Sequence, residues 1–135
     1  MDRILLIAYA AGLVDGEGCI STSCGTNSSV RIAVAMCTPQ GPNLMRELFG
    51  GTVRLHIASK SGFGRRPQFR WEIRAQMAEN ALVQLRPFLR EKQAQADVAL
   101  QLREIQRGHR GAHSTKDKAA LVELRSTLRL LKKPA

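Results

Sequence analysis

The chain opens on an apolar run, residues 4–14, that lacks the polar stripe of an ordinary surface helix. It predicts a helix over about residues 2–15, ended by Gly16 and Gly18 and covered on more than one side. At about 100° per residue, Ile4, Ala8, Ala11, Gly12 and Asp15 share one face, and Leu6, Tyr9, Ala10 and Leu13 the opposite one. The bulky face suits the chain's own core. The small face, with Ala8 and Gly12 four residues apart, lets two helix backbones come close. A second helix of the same chain satisfies that pattern too; we favour a symmetric pair across a dimer axis.

Alternation then takes over. Residues 19–24 predict a strand, Gly25-Thr26-Asn27 a turn, and residues 30–38 its antiparallel partner. Val30, Ile32, Val34 and Met36 share one face of that partner, leaving Arg31, Ala33, Ala35 and Cys37 on the other. Residues 39–43 break the pattern, and a short helix is predicted over 42–49 before Gly50-Gly51. A second hairpin, residues 52–58 and 67–74, flanks a basic loop. In it Val53, Leu55, Ile57, Phe69, Trp71 and Ile73 alternate with Thr52, Arg54, His56, Gln68, Arg70, Glu72 and Arg74. One face is apolar, the other cationic and hydrogen-bonding.

The rest is helical: an amphipathic piece over 78–85, then a longer helix from Pro87, in its first turn, to about Gln106. Arg86 is expected to be pushed out of helical geometry by the proline after it. A linker over 108–114 precedes a terminal helix over 116–131, with Leu121, Leu124, Leu128 and Leu131 on its stripe. The order predicts one α+β domain, with an αββαββα core over about residues 2–107 and a helical extension over about 114–132.

Composition narrows the partner. At 135 residues and 44% hydrophobic, the chain supports a core and is not globally disordered. Twenty-one Lys and Arg against eleven Asp and Glu leave a net charge of +10, which favours a polyanion. A basic ribosomal-type protein, or a merely soluble basic surface, carries the same charge. Cys19, Cys24 and Cys37 make an odd count without framework spacing, expected of reduced thiols inside a cell. Zinc with His109 and His113 is disfavoured, since Cys19 and Cys24 point to opposite faces of one strand. The apolar opening is too short for a bilayer, which needs roughly 20 residues, and its acidic end does not suit a signal peptide. A cytoplasmic or organellar protein without membrane contact is expected.

Asp15-Gly16-Glu17-Gly18 carries the most chemistry. Two carboxylates at the negative end of a helix dipole are mildly unfavourable and call for a cation. Mg²⁺ suits, because it takes oxygen ligands and needs only one or two carboxylates beside phosphate and water. For this tetrapeptide in isolation, a solvated helix-ending turn is the simpler account.

Its surroundings change that. Ala10-Ala11-Gly12-Leu13-Val14-Asp15-Gly16-Glu17-Gly18, preceded by Tyr9, resembles the motif of the LAGLIDADG homing endonucleases. Further along, Thr38 followed by Leu44, Met45, Leu48 and Gly50-Gly51 is similar to that family. So are Phe69-Arg70-Trp71-Glu72-Ile73 and Leu85-Arg86-Pro87-Phe88-Leu89-Arg90-Glu91-Lys92-Gln93, so that the resemblance spans about residues 4–106. Glu17 departs from the commoner aspartate, and Ala10 and Gly16 from the consensus, both conservatively small.

The resemblance implies a saddle-shaped antiparallel sheet, and, with one motif per chain, a homodimer joined through Ala8, Ala11, Gly12 and Asp15. It implies an intron- or intein-borne, site-specific double-strand DNA endonuclease using Mg²⁺ or Mn²⁺, with Ca²⁺ as a non-catalytic substitute. Glu17 and the Gly16 carbonyl become the metal ligands. Lys92 becomes the basic catalytic residue near the scissile phosphate. The polar residue after the second strand aligns with Pro39, which cannot serve, and Gln40 is the next candidate. Hydrolysis by activated water across the minor groove needs no covalent protein nucleophile.

The polar hairpin faces are the natural reading surface: Ser21, Ser23, Arg31, Arg54, His56, Gln68, Arg70 and Arg74. A β-ribbon fits the major groove, where Arg pairs with guanine and Gln with adenine. Two such surfaces span roughly 20 bp of a pseudo-palindrome. Lys60, Arg65 and Arg66, with Lys132 and Lys133, suit phosphates. The alternatives are a non-cleaving protein on the same scaffold (an RNA maturase assisting intron splicing, or a DNA-binding regulator) and a structural RNA-binding protein.

Overall fold

The computed structural model describes residues 2–22, 29–57, 66–107 and 115–132. The predicted turn over 25–27, Ser23, Cys24, Lys60, Arg65, the 108–114 linker with His109 and His113, and Lys133 lie outside them. Among the described residues no helix is long and apolar enough to cross a membrane.

Helix α1 (Arg3–Glu17) starts where the Asp2 carboxylate accepts the Ile4 N–H at 3.1 Å, an N-cap. It runs two residues past the predicted end. Gly16 is helical, and Gly18 caps the helix by donating its N–H to the Val14 carbonyl. A side chain on Gly18 would meet Val14 backbone atoms at 2.7 Å, so the turn from helix into strand requires glycine there. The core face of α1 is Ile7, Ala10, Ala11 and Val14. Tyr9, expected inward, is 61% exposed, and Ala11, expected at an interface, is fully buried in its own chain. The helix is rotated relative to the predicted faces because Ile7 and Val14, two turns apart, seek the core together.

Strands β1 (Gly18–Thr22), β2 (Val30–Met36), β3 (Thr52–His56) and β4 (Gln68–Arg74) form one antiparallel sheet in the order β1-β2-β4-β3. Helix α2 (Gln40–Phe49) connects the hairpins, and α3 (Ala75–Leu85) follows β4. The α+β order αββαββα is therefore present. Period-2 alternation puts Ile20, Val30, Ile32, Val34, Trp71 and Ile73 into the core that the helices cover. Trp71 is the largest of these and fully buried, and at about 25 cal/mol per Å² its side chain contributes about 4–6 kcal/mol. Its indole N–H donates to the Gly50 carbonyl at 2.8 Å. Gly50 and Gly51 have φ of 79° and 93°, and a Cβ on Gly51 would lie 2.4 Å from Ile73. Edge strand β3 is covered less than its alternation predicts: Val53 is half-buried, whereas Leu55 is 56% exposed.

After α3 the chain departs from the predicted long helix. Pro87 lies in a 3₁₀ turn, Arg86–Phe88, with Arg86 in the α-region (φ −49°, ψ −46°) rather than expelled from it. Leu89 is extended, and α4 (Gln93–Arg107) begins only afterwards. Arg86 pairs with Asp97 across this break. A buried lock joins α3 to α4: the Glu79 carboxylate accepts from Gln76 at 2.8 Å and from Arg107 at 3.2 Å, with Arg103 at 3.7 Å. Helix α5 (Thr115–Leu131) packs on α4 and β1 through Leu121 and Leu128; Leu131, the last residue of its predicted stripe, is 40% exposed.

Candidate functional site

The C-terminal end of α1 delivers two carboxylates into different surroundings. Asp15 is bound within the chain. Its Oδ2 accepts the Arg90 N–H at 2.8 Å and its Oδ1 the Lys92 N–H at 3.0 Å. The Asp15 carbonyl, one of those in the last turn without an intrahelical partner, accepts the Lys92 ammonium at 2.7 Å. A cation there also suits the dipole. These three bonds join positions 75 and 77 residues apart and fold the extended link before α4 onto the helix end. Asp15, expected to serve the helix end or a dimer interface, fastens from the helix end the segment that carries Lys92.

Glu17 is the opposite case. It is exposed, and among the described residues nothing donates to its carboxylate. It stands at the same helix end as the half-buried Lys92. Gly16, also exposed, offers a last-turn carbonyl beside it. Hard oxygen donors of this kind fit Mg²⁺ or Ca²⁺. Among the described residues no three His, Cys, Asp or Glu side chains gather for a metal. Gln40 opens α2 with its side chain exposed, and no described hydrogen bond links it to Glu17 or Lys92.

The sheet turns its other face outward in four rows fixed by register: Ser21–Arg31–Arg74, Cys19–Ala33–Glu72–Thr52, Ala35–Arg70–Arg54 and Gln68–His56. Arg31 opposite Arg74 and Arg54 opposite Arg70 are like-charge pairs, each destabilising by roughly 0.2–1 kcal/mol. Glu72 sits between the two arginine rows and relieves them. It accepts from Arg70 at 3.3 Å and from Arg74 at 3.1 Å, with Arg31 at 3.7 Å. Burial raises its pKa, but the hydrogen bonds from Arg74 and Arg70 and the charges of Arg74 and Arg31 outweigh this, leaving the carboxyl below its ordinary value. Thr52, Arg54, Arg70, Glu72 and Arg74 line a cleft of about 260 Å³. Arg66, Gln68 and His56 are exposed at the far end of the second hairpin.

A third surface is the outer side of α1. Leu5 and Tyr9 are about three-fifths exposed, at 59% and 61%, and they flank Ala8, Gly12 and Gly16. Among the described residues a Cβ added to Gly12 or Gly16 meets nothing within 4 Å, so the packing they make does not demand glycine at either position. Gly16 extends the four-residue spacing of Ala8 and Gly12 by one step. That signal was present in the sequence, hidden by the expectation that the helix had already ended.

No family model and no curated protein matches the sequence. Solved structures do match. The homing endonuclease I-CvuI, solved with its target and calcium, superposes with a TM-score of 0.74 at 25% identity, over 98% of this chain and 85% of that one. The archaeal intron-encoded homing endonuclease I-Vdi141I, complexed with DNA, gives 0.75 at 14% identity over 99% and 88%. The group I intron-encoded I-CeuI, also complexed with DNA, gives 0.68 at 18% over 96% and 67%. What nine residues at the end of α1 implied, the whole backbone repeats: this chain has the fold of the LAGLIDADG homing endonucleases.

Proposed function

We propose that the protein is a site-specific DNA endonuclease that hydrolyses phosphodiester bonds on both strands as a homodimer. The observation that carries the reading is Glu17: an exposed carboxylate to which no described residue donates, at the unfavourable end of a helix dipole, beside a lysine fastened by Asp15. An acid so placed is offset by a cation from outside the chain. Glu17 and the Gly16 carbonyl hold a divalent ion, Mg²⁺ or Mn²⁺, with Ca²⁺ as a non-catalytic occupant. Such an ion, when bound, polarises the phosphoryl group and offsets the charge on the attacking and leaving oxygens. Lys92 has two ammonium protons beyond the one given to Asp15, and presents them to a phosphate oxygen or to the attacking water.

Duplex DNA lies on the arginine rows. Their mutual repulsion is relieved by phosphates, and their guanidinium forks match guanine edges in the major groove. The outer side of α1 pairs with its copy: Ala8, Gly12 and Gly16 let the two backbones approach, and Leu5 and Tyr9 flank the contact. This brings two Glu17 carboxylates to one axis, one for each strand. Support comes from the DNA complexes named above, proteins of the same fold.

The test is Glu17→Gln, which keeps the shape and removes the charge. With a site selected from a randomised duplex library in Mg²⁺, this variant is expected to bind as wild type does and to lose cleavage. Cleavage at the wild-type rate refutes the assignment. Site binding without cleavage by the wild-type protein would favour the non-cleaving alternative.

A further inference from the structure

We propose that the C-terminal end of α5 forms a phosphate-binding cleft with the edge of the sheet, gripping the DNA backbone beyond the strands that face the groove. The inference rests on the nuclease reading only in taking duplex DNA as the polyanion. Leu121 and Leu128 anchor α5 in the core, and the Gln95 side-chain amide donates to the Leu131 carbonyl at 3.5 Å. The last turns of α5 are thereby set beside edge strand β1. Between them lies a cleft of about 230 Å³ whose polar lining is Ser21, Thr22, Arg31, Arg125, Arg129 and Lys132. Among the described residues its lining holds four cations and two hydroxyls and no carboxylate. From Arg125 to Lys132 the sequence has no acid either.

Arg31 ties the cleft to the sheet. It donates to the Ser21 hydroxyl at 3.3 Å and belongs to the Ser21–Arg31–Arg74 row, with Glu72 3.7 Å away on its sheet side, so the same arginine borders both the outward rows and the cleft. Cations and hydroxyls of this kind hold phosphates and set register without reading bases. That shared arginine identifies the phosphate as one from the duplex on the sheet. Thr22 is four residues along β1 from Gly18, or about 13 Å at roughly 3.3 Å per residue, which places the grip outward of Glu17. Cations at a helix C-terminus also suit its dipole. That role shows in thermal stability and leaves salt dependence unchanged.

The test compares wild type with Arg129→Gln/Lys132→Gln on a mixed-sequence duplex longer than the roughly 20 bp site, titrated with KCl in EDTA. A control, Arg46→Gln/Lys118→Gln, removes the same charge from α2 and from the opposite end of α5. Each phosphate contact contributes about 0.9 to the slope of log K against log salt. The cleft variant should therefore lose about 1.8 from that slope, and the control much less. A cleft variant with the wild-type slope, or both variants shifted equally, overturns the cleft and leaves the nuclease reading standing. Wild-type protein without salt-dependent duplex binding overturns both.

Discussion

Replacing Asp15 with asparagine separates holding Lys92 from simply ending a helix. The carboxylate accepts two backbone N–H groups, at 2.8 and 3.0 Å. Asparagine keeps one carbonyl oxygen and turns an amide toward the second N–H. One charge-assisted bond is lost outright and the other weakened, a local cost of about 2–3 kcal/mol. The 90–92 link then loosens, and with it the lysine that reaches the Asp15 carbonyl at 2.7 Å. A displacement of about 1 Å at a reacting centre costs on the order of 10²-fold in rate. Single-turnover cleavage of a selected site is therefore expected to fall by about that factor, with binding in Ca²⁺ nearly unchanged. The decisive arm is a double-mutant cycle with Lys92→Met: if Asp15 acts through Lys92, adding Asp15→Asn to the methionine variant slows it no further. Fully additive losses, or wild-type cleavage by Asp15→Asn alone, refute the reasoning.

Gly12→Leu meets open space within the chain and removes a helix-interior glycine, so the monomer should gain up to about 1 kcal/mol in thermal unfolding. Light scattering of the same protein should show the dimer lost; an intact dimer excludes pairing through this face. Glu72 has a depressed pKa in the fold, so its contribution to stability is present above its unfolded value of about 4.3 and is lost as pH falls through the lower folded value. Glu72→Gln should be less stable than wild type at neutral pH, with the gap closing in acid. It should also bind non-specific DNA more tightly; a gap that does not narrow as pH falls below the unfolded value contradicts the ion-pair account. Gly51→Ala places a methyl 2.4 Å from Ile73 at φ 93°, and is expected to cost more than about 1 kcal/mol by denaturant unfolding.

Most of the fold was legible because it is written in short periods. Alternation in 30–36 and 68–74 gave each residue its face, whereas the pairing of these two strands, Val34↔Trp71 included, joins distant segments and leaves no local signal. The misreadings lie where distant contacts decide. The rotation of α1 is set by what packs beneath Ile7 and Val14. The 3₁₀ turn and extended link after Leu85 depend on the Asp15 carboxylate, some 75 residues earlier, taking the Arg90 and Lys92 N–H groups that a continuous helix would have used internally. The Glu79 lock joins residues on two helices and leaves no local trace. At the site, the motif marked Glu17 and Lys92, whereas the part played by Asp15 became visible only once the two segments met in space.

The four outward rows have an evolutionary consequence. Ser21, Arg54 and Gln68 project from strands whose opposite side chains do the packing, so exchanging one for another polar residue changes the outward face and leaves the buried one as it is. A lineage on this scaffold is free to change that outward face one position at a time while Trp71 and its neighbours stay put. Sliding a strand by a single residue, by contrast, would exchange its two faces at once, turning the core outward and the charges inward.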